Sequence, residues 1–179
     1  MLESTKRKHS PSSCRSKNVS SRFAILINLF HIGRLDLLGK LPPYSFVVPE
    51  EVVKEVREPQ QTQALRTAMS SGLLSEVQLA DPAELKVYAD LVKILGSGEA
   101  ACLSLAQCRQ WLIASDEKKK FRRETLARLG TGRLLNTPGI LTLAITGGVL
   151  TVEGADQAKA ALELHRFTMS FRSFRDVLP

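Results

Sequence analysis

Cysteine is scarce in this chain, and what there is carries no pattern. Cys14, Cys102 and Cys108 have neither paired metal-ligand spacing nor the density of a disulfide scaffold. Cys102 and Cys108 stand six apart in a helical stretch, which at about 100° per residue turns them to nearly opposite faces and excludes a bond within one helix. A reducing cytoplasm is the expected compartment. Long apolar runs are also missing: no stretch reaches membrane-spanning length without interruption, so no membrane association is expected. The glycines of LGSGEA and ITGGV complete neither a dinucleotide fingerprint nor a Walker phosphate loop. The three histidines, His9, His31 and His165, have no metal-ligand or acid–base companion at suggestive spacing.

What is present is one domain's worth of core. A chain of 179 residues, 44% hydrophobic, buries one substantial interior, and a second independent one would be cramped. The net charge of +7 is uneven, because the polar, Ser-rich opening to residue 22 contains Lys6, Arg7, Lys8, Arg15, Lys17 and Arg22 against Glu3 alone. The remainder is almost balanced, so the high overall pI says little about the partner of the folded body. Residues 1–21 read as a basic tail, with a nucleic-acid-contacting arm or a targeting segment as alternatives. They contain no apolar signal-peptide centre. Residues 22–179 read as the domain.

Hydrophobic patterning predicts alternating elements. FAILINLF, residues 23–30, is apolar except for Asn28 and is expected to begin as a buried strand and pass into a helix. A short helix around Leu35, Leu37 and Leu38 follows. SFVVP reads as a strand stopped by Pro49, and EEVVKEVRE as a helix with two acids at its start. TQALRTAMSSG is a helix and LLSEVQL a short strand. Asp81 and Pro82 supply an N-cap and a first helical residue for PAELKVYADLVKILG, and GEAACLSLAQCRQ restarts a helix after Gly96 and Gly98. WLIAS is a buried strand, Ser115 or Asp116 is expected to cap EKKKFRRETLARLG, and RLLN is a last strand before the helices PGILTLAITGG, which Thr137 and Pro138 start, and ADQAKAALELHRF. The aromatic MSFRSFRDVLP is expected to pack back on the body. Short strands separated by helices fit a three-layer α/β/α domain with a mostly parallel sheet, whose ligand crevice lies at the carboxyl ends of the strands.

Four acids are candidates for that crevice: Glu55 on the helix after one strand, Glu99 in the first turn of another helix, and Asp116 and Glu117 directly after a third strand. Carboxylate oxygens are the ligands that Mg²⁺ or Mn²⁺ takes, and such an ion activates water and stabilises charge on a phosphodiester. Taken singly, each acid also has a local explanation: a solvated helix residue, a helix-terminal carboxylate, an N-cap and a first-turn acid. The metal reading requires that they share a pocket. Lys118, Lys119, Lys120, Arg122 and Arg123 would spread around a helix, either as a solvated face or as contacts for an RNA or DNA backbone. Trp111, the only tryptophan, is read as packing at a strand edge rather than stacking on a base.

AILINLFHIGRLDLLGKL, VVPEEVVKEV, LGSGEAACLSLA, WLIASDEKKKFRRE and LLNTPGILTLAITGGVLT, in that order, resemble the PIN-domain family. The likeness is to its small prokaryotic branch, related to toxin components of toxin–antitoxin pairs, and covers about residues 22–171. The resemblance implies a metal-dependent ribonuclease using Mg²⁺ or Mn²⁺, with Glu55, Glu99 and Asp116 as the catalytic acids and Glu99, Asp116 and Glu117 as metal ligands. It further implies RNA as substrate, a homodimer, and a small antitoxin protein as inhibitor. One departure stands out: the family's first aspartate aligns at or close to Arg22, and residues 4–35 contain neither Asp nor Glu. An arginine there repels a divalent ion, although it can pair with the remaining acids. The alternative expectation is therefore a catalytically impaired PIN-like protein that serves in dimerisation, antitoxin binding or RNA binding.

Overall fold

The middle strand of the molecule is KNVSS, a stretch too polar to announce itself. The computed structural model describes residues 17–21, 23–117 and 119–178, with only the backbone described at Phe23. Residues 1–16 of the basic tail, Arg22 and Lys118 lie outside the described residues. Within them the strands are β1 (Lys17–Ser21), β2 (Tyr44–Pro49), β3 (Ser75–Val77), β4 (Leu112–Ala114) and β5 (Leu134–Leu135). All neighbours pair in parallel, in the spatial order β3-β2-β1-β4-β5.

Two expectations are corrected here. The first strand is Lys17–Ser21, residues read above as the end of the tail, and the whole of Phe23–His31 is helix α1. β1 is flanked on both edges, Val19 standing opposite Phe46 of β2 and Leu112 of β4. Both neighbours satisfy its backbone, and Val19, Ser20 and Ser21 are fully buried. Local hydrophobicity carries no trace of that double pairing. In α1, Ile25, Leu26 and Leu29 recur at helical spacing and enter the core. Secondly, neither Ser115 nor Asp116 caps the next helix: α6 starts only at Lys120, without a side-chain cap, and the Asp116 carboxylate turns toward another element.

The remaining helices follow the sequence closely. They are α2 (Glu50–Glu55), α3 (Pro59–Ser70), α4 (Pro82–Leu91), α5 (Ser97–Arg109), α6 (Lys120–Leu129), α7 (Thr137–Thr146) and α8 (Val152–Leu164). Asp81 caps α4 by accepting from the Ala83 amide at 2.8 Å, and Glu84 reaches back to the Asp81 amide at 3.3 Å. α1 packs against α3, α7 and α8, while α5 packs against α2, α4 and α6. These two helical layers enclose the sheet, giving the α/β/α sandwich. The core runs through Ile25, Leu29, Val48, Leu103, Ile113 and Ile140.

The chain's end closes one side. Asp156 of α8 accepts from the Ser173 hydroxyl at 2.7 Å and from the Phe174 amide at 2.8 Å, which seats the fully buried Phe174 ring. The rings of His31 and His165 stack at 3.8 Å, a companionship that a separation of 134 positions conceals. Burial, with the neighbouring His165 second, pushes His31 below its ordinary pKa. No helix among the described residues is long and apolar enough to cross a membrane.

Candidate functional site

In the order β3-β2-β1-β4-β5 the chain leaves β1 in one direction toward β2 and returns on the other side as β4. A crevice opens outside the carboxyl ends of the strands where the order reverses. Asp116 lies two residues beyond β4. Ser21, at the end of β1, is in register with Ala114.

The half-buried Asp116 carboxylate is held from two elements. Asn28 Nδ2 donates to Oδ2 at 2.9 Å, Thr137 Oγ1 donates to the same oxygen at 2.5 Å, and the Thr137 amide donates to Oδ1 at 2.9 Å. A carboxylate offers about four acceptor positions, so these donors take most of them. Asp116 thus bridges α1 to the first turn of α7, where the helix dipole favours an anion. Asn28 also donates to Thr137 Oγ1 at 3.2 Å and is itself buried. Sequence reasoning assigned no role to Asn28 or Thr137. The signal for Asn28 was its polarity within an otherwise apolar run; Thr137 looked only like a helix start.

Glu55 and Glu99 both serve the start of α5. Glu55 Oε1 accepts from the Ser97 hydroxyl at 2.9 Å and from the Gly98 amide at 2.8 Å, so a residue of α2 satisfies the open amino-terminal end of α5. Glu99 Oε2 accepts from the Gly96 amide at 3.0 Å, one half of a capping box. A Cβ placed on Gly96 would lie 3.7 Å from Glu99 Oε2 and 4.0 Å from Glu55 Oε1, so both carboxylates border the same glycine. Cys102, one turn after Glu99, directs its thiol to the Ser21 carbonyl at 3.7 Å, which sets this end of α5 beside the end of β1.

Glu117 is not in a helix; its amide donates to Ser115 Oγ at 3.2 Å, and its side chain lines a cavity of about 470 Å³ with Asp116. Arg122 of α6 and the segment Phe167–Phe171 line the same cavity. Among the cations of the 118–123 run, Arg123 pairs with Glu124 at 3.6 Å, and Arg122 lines the cavity. Trp111 packs half-buried against the core at its strand edge, with the Arg109 guanidinium 4.8 Å from its ring centre.

The donor chemistry of these acids, oxygen only, suits a hard divalent ion. The structure gathers them as two pairs, Glu55 with Glu99 and Asp116 with Glu117. Among the described residues no group of three or more His, Cys, Asp or Glu is assembled as a metal site.

A parallel sheet of this order, sandwiched by helices and carrying acids at its carboxyl edge, defines a PIN-like α/β/α domain. The chain belongs to the PIN-domain family: it matches the family described as DUF3368, PIN domain, over residues 23–178. A comparison with curated proteins returned no match.

Proposed function

We propose that the protein is an RNA-acting PIN domain whose crevice hydrolyses phosphodiester bonds with the help of Mg²⁺ or Mn²⁺. The observation that supports this reading is Asp116, delivered by β4 to the sheet's carboxyl edge and braced there by Asn28 and Thr137. Glu99, Asp116 and Glu117 are the residues that would hold the ion, with Glu55 keeping the end of α5, and so Glu99, in place. When bound, a hard cation supplies a nucleophilic water and offsets charge on the phosphate. The chain's own contribution is a pre-set carboxylate geometry, and Arg122 as a phosphate contact beside it. Following the resemblance, a second copy of the chain and a small antitoxin-like protein are proposed partners, as for a toxin of a toxin–antitoxin pair.

A second reading, an RNA-binding PIN-like protein without hydrolytic power, draws on a specific feature. Glu55 and Asp116 are each committed to several intramolecular donors, and by the resemblance the family's first aspartate falls at or close to Arg22. Cleavage of structured RNAs with and without Mn²⁺ by the wild type, Asp116→Asn and Arg22→Asp separates the two. Metal-dependent cleavage by the wild type that Asp116→Asn abolishes is the expected result. Cleavage by Arg22→Asp alone would establish the second reading, and no metal-dependent cleavage by either would exclude hydrolysis.

A further inference from the structure

The cavity beside Asp116 is chemically two-faced. Its lining combines the acids Asp116 and Glu117 with the apolar Phe167, Met169 and Phe171 and the cationic Arg122. Its volume of about 470 Å³ is within the range of small-molecule sites.

The aromatic wall is built by the fold. α8 ends at Leu164, Arg166 takes a left-handed conformation with φ of 62°, and the Phe167 amide donates to the Leu162 carbonyl at 3.0 Å, turning the chain at the end of α8 so that Phe167–Phe171 line the cavity. Phe171 meets Phe174 edge-on at 4.9 Å, and Phe174 is anchored through Asp156. Phe167 stays half-exposed. Glu124 serves Arg123 and Arg128, while Arg122 lines the cavity together with Asp116 and Glu117.

From this we infer that Phe167, Phe171 and Arg122 form a nucleotide subsite beside the acids, in which an unpaired RNA base lies against the phenyl wall while its phosphate meets Arg122. The inference rests on the RNA-acting reading above and gives it a specificity. A base engages an aromatic wall only when it is splayed from a duplex, so the subsite selects single-stranded segments by stacking rather than by base-edge readout. Arg122 adds a phosphate contact that positions the strand without reading sequence.

The test is fluorescence anisotropy with a labelled single-stranded RNA decamer and a duplex of matched composition, in EDTA so that no cleavage intervenes. The wild type is expected to bind the single strand more tightly. Phe167→Ala is expected to weaken single-strand binding about five- to a hundredfold, with Phe167→Tyr restoring it. Arg122→Gln is expected to lower the slope of log affinity against log salt by about 0.7, and Arg122→Lys to keep it. Thermal melts of each variant separate lost binding from lost folding. Absence of wild-type binding, equal affinity for duplex, or unchanged binding by a folded Phe167→Ala would overturn the subsite. Binding as expected without Mn²⁺-dependent cleavage would leave the subsite standing and remove hydrolysis; cleavage unaffected by Phe167→Ala would do the reverse.

Discussion

Replacing Glu84 by Gln should cost this fold about 3 kcal/mol at neutral pH, and much less in acid. Glu84 is only 3% exposed. It accepts from Arg109 Nε and from Nη2 at 2.9 Å, and from the Ala80 and Asp81 amides at 3.1 and 3.3 Å, tying the start of α4 to the end of α5. The Arg109 hydrogen bonds, with the two amides and against the effect of burial, hold its carboxyl at about 2 rather than the ordinary 4.5. At about 1.4 kcal/mol for each pH unit between those values, the ionised form contributes roughly 3 kcal/mol. The sign follows from the folded carboxyl being the stronger acid: the contribution is complete above pH 4.5 and is lost as pH falls toward about 2. The variant also strands the Arg109 guanidinium, which is 28% exposed and so partly rescued by water. Urea denaturation of both proteins between pH 7 and pH 3 measures the gap directly. A gap below about 1 kcal/mol at pH 7, the size of a surface ion pair, would refute this account. So would a gap that stays constant as the pH is lowered.

Gly98→Ala should destabilise the protein by about 1–3 kcal/mol, the usual cost of overpacking. The added Cβ would sit 2.6 Å from Glu55 Oε2 and 3.0 Å from Val52 Cγ2. Combining it with Glu55→Ala should cost less than the sum of the two single changes in thermal melts, and strict additivity would show that the two residues do not compete for space. Asp156→Ala should release the carboxyl-terminal segment, seen as faster proteolytic clipping after residue 165. The Ser173 hydroxyl and Phe174 amide hold Asp156 below its ordinary pKa of 3.8, so the wild type should keep this protection in mild acid and begin to lose it only as pH falls below that value. Unchanged clipping in the variant would mean that Phe174 burial alone secures the segment.

Most of the helices were legible because their signals are local. Asp81-Pro82 specifies its own cap, and Thr137-Pro138 marks where α7 begins. Pro49 ends β2 where α2 starts. β1 was not legible: Ser20 and Ser21 acquire their burial from β2, β4 and the helices above and below, none of which is near them in sequence. The apolar run FAILINLF resembled a buried strand for the converse reason, since a short continuous apolar segment carries no period that separates strand from helix.

The candidate site divides in the same way. Asp116 is placed by local chemistry, directly after a short apolar strand, and the order of elements brought Glu55, Glu99, Asp116 and Glu117 forward as candidates for one crevice. Their partners were not readable. That Glu55 would serve the Ser97 hydroxyl and the Gly98 amide, that Asn28 would reach Asp116 across 88 positions, and that Phe167 and Arg122 would line one cavity are consequences of packing between distant segments. By itself the sequence determined the alternation of elements, because caps, prolines and hydrophobic period act over a few residues. Only the tertiary structure decided which strand is central and what each carboxylate holds, because strand pairing and long-range hydrogen bonds depend on neighbours that exist only once the chain has folded.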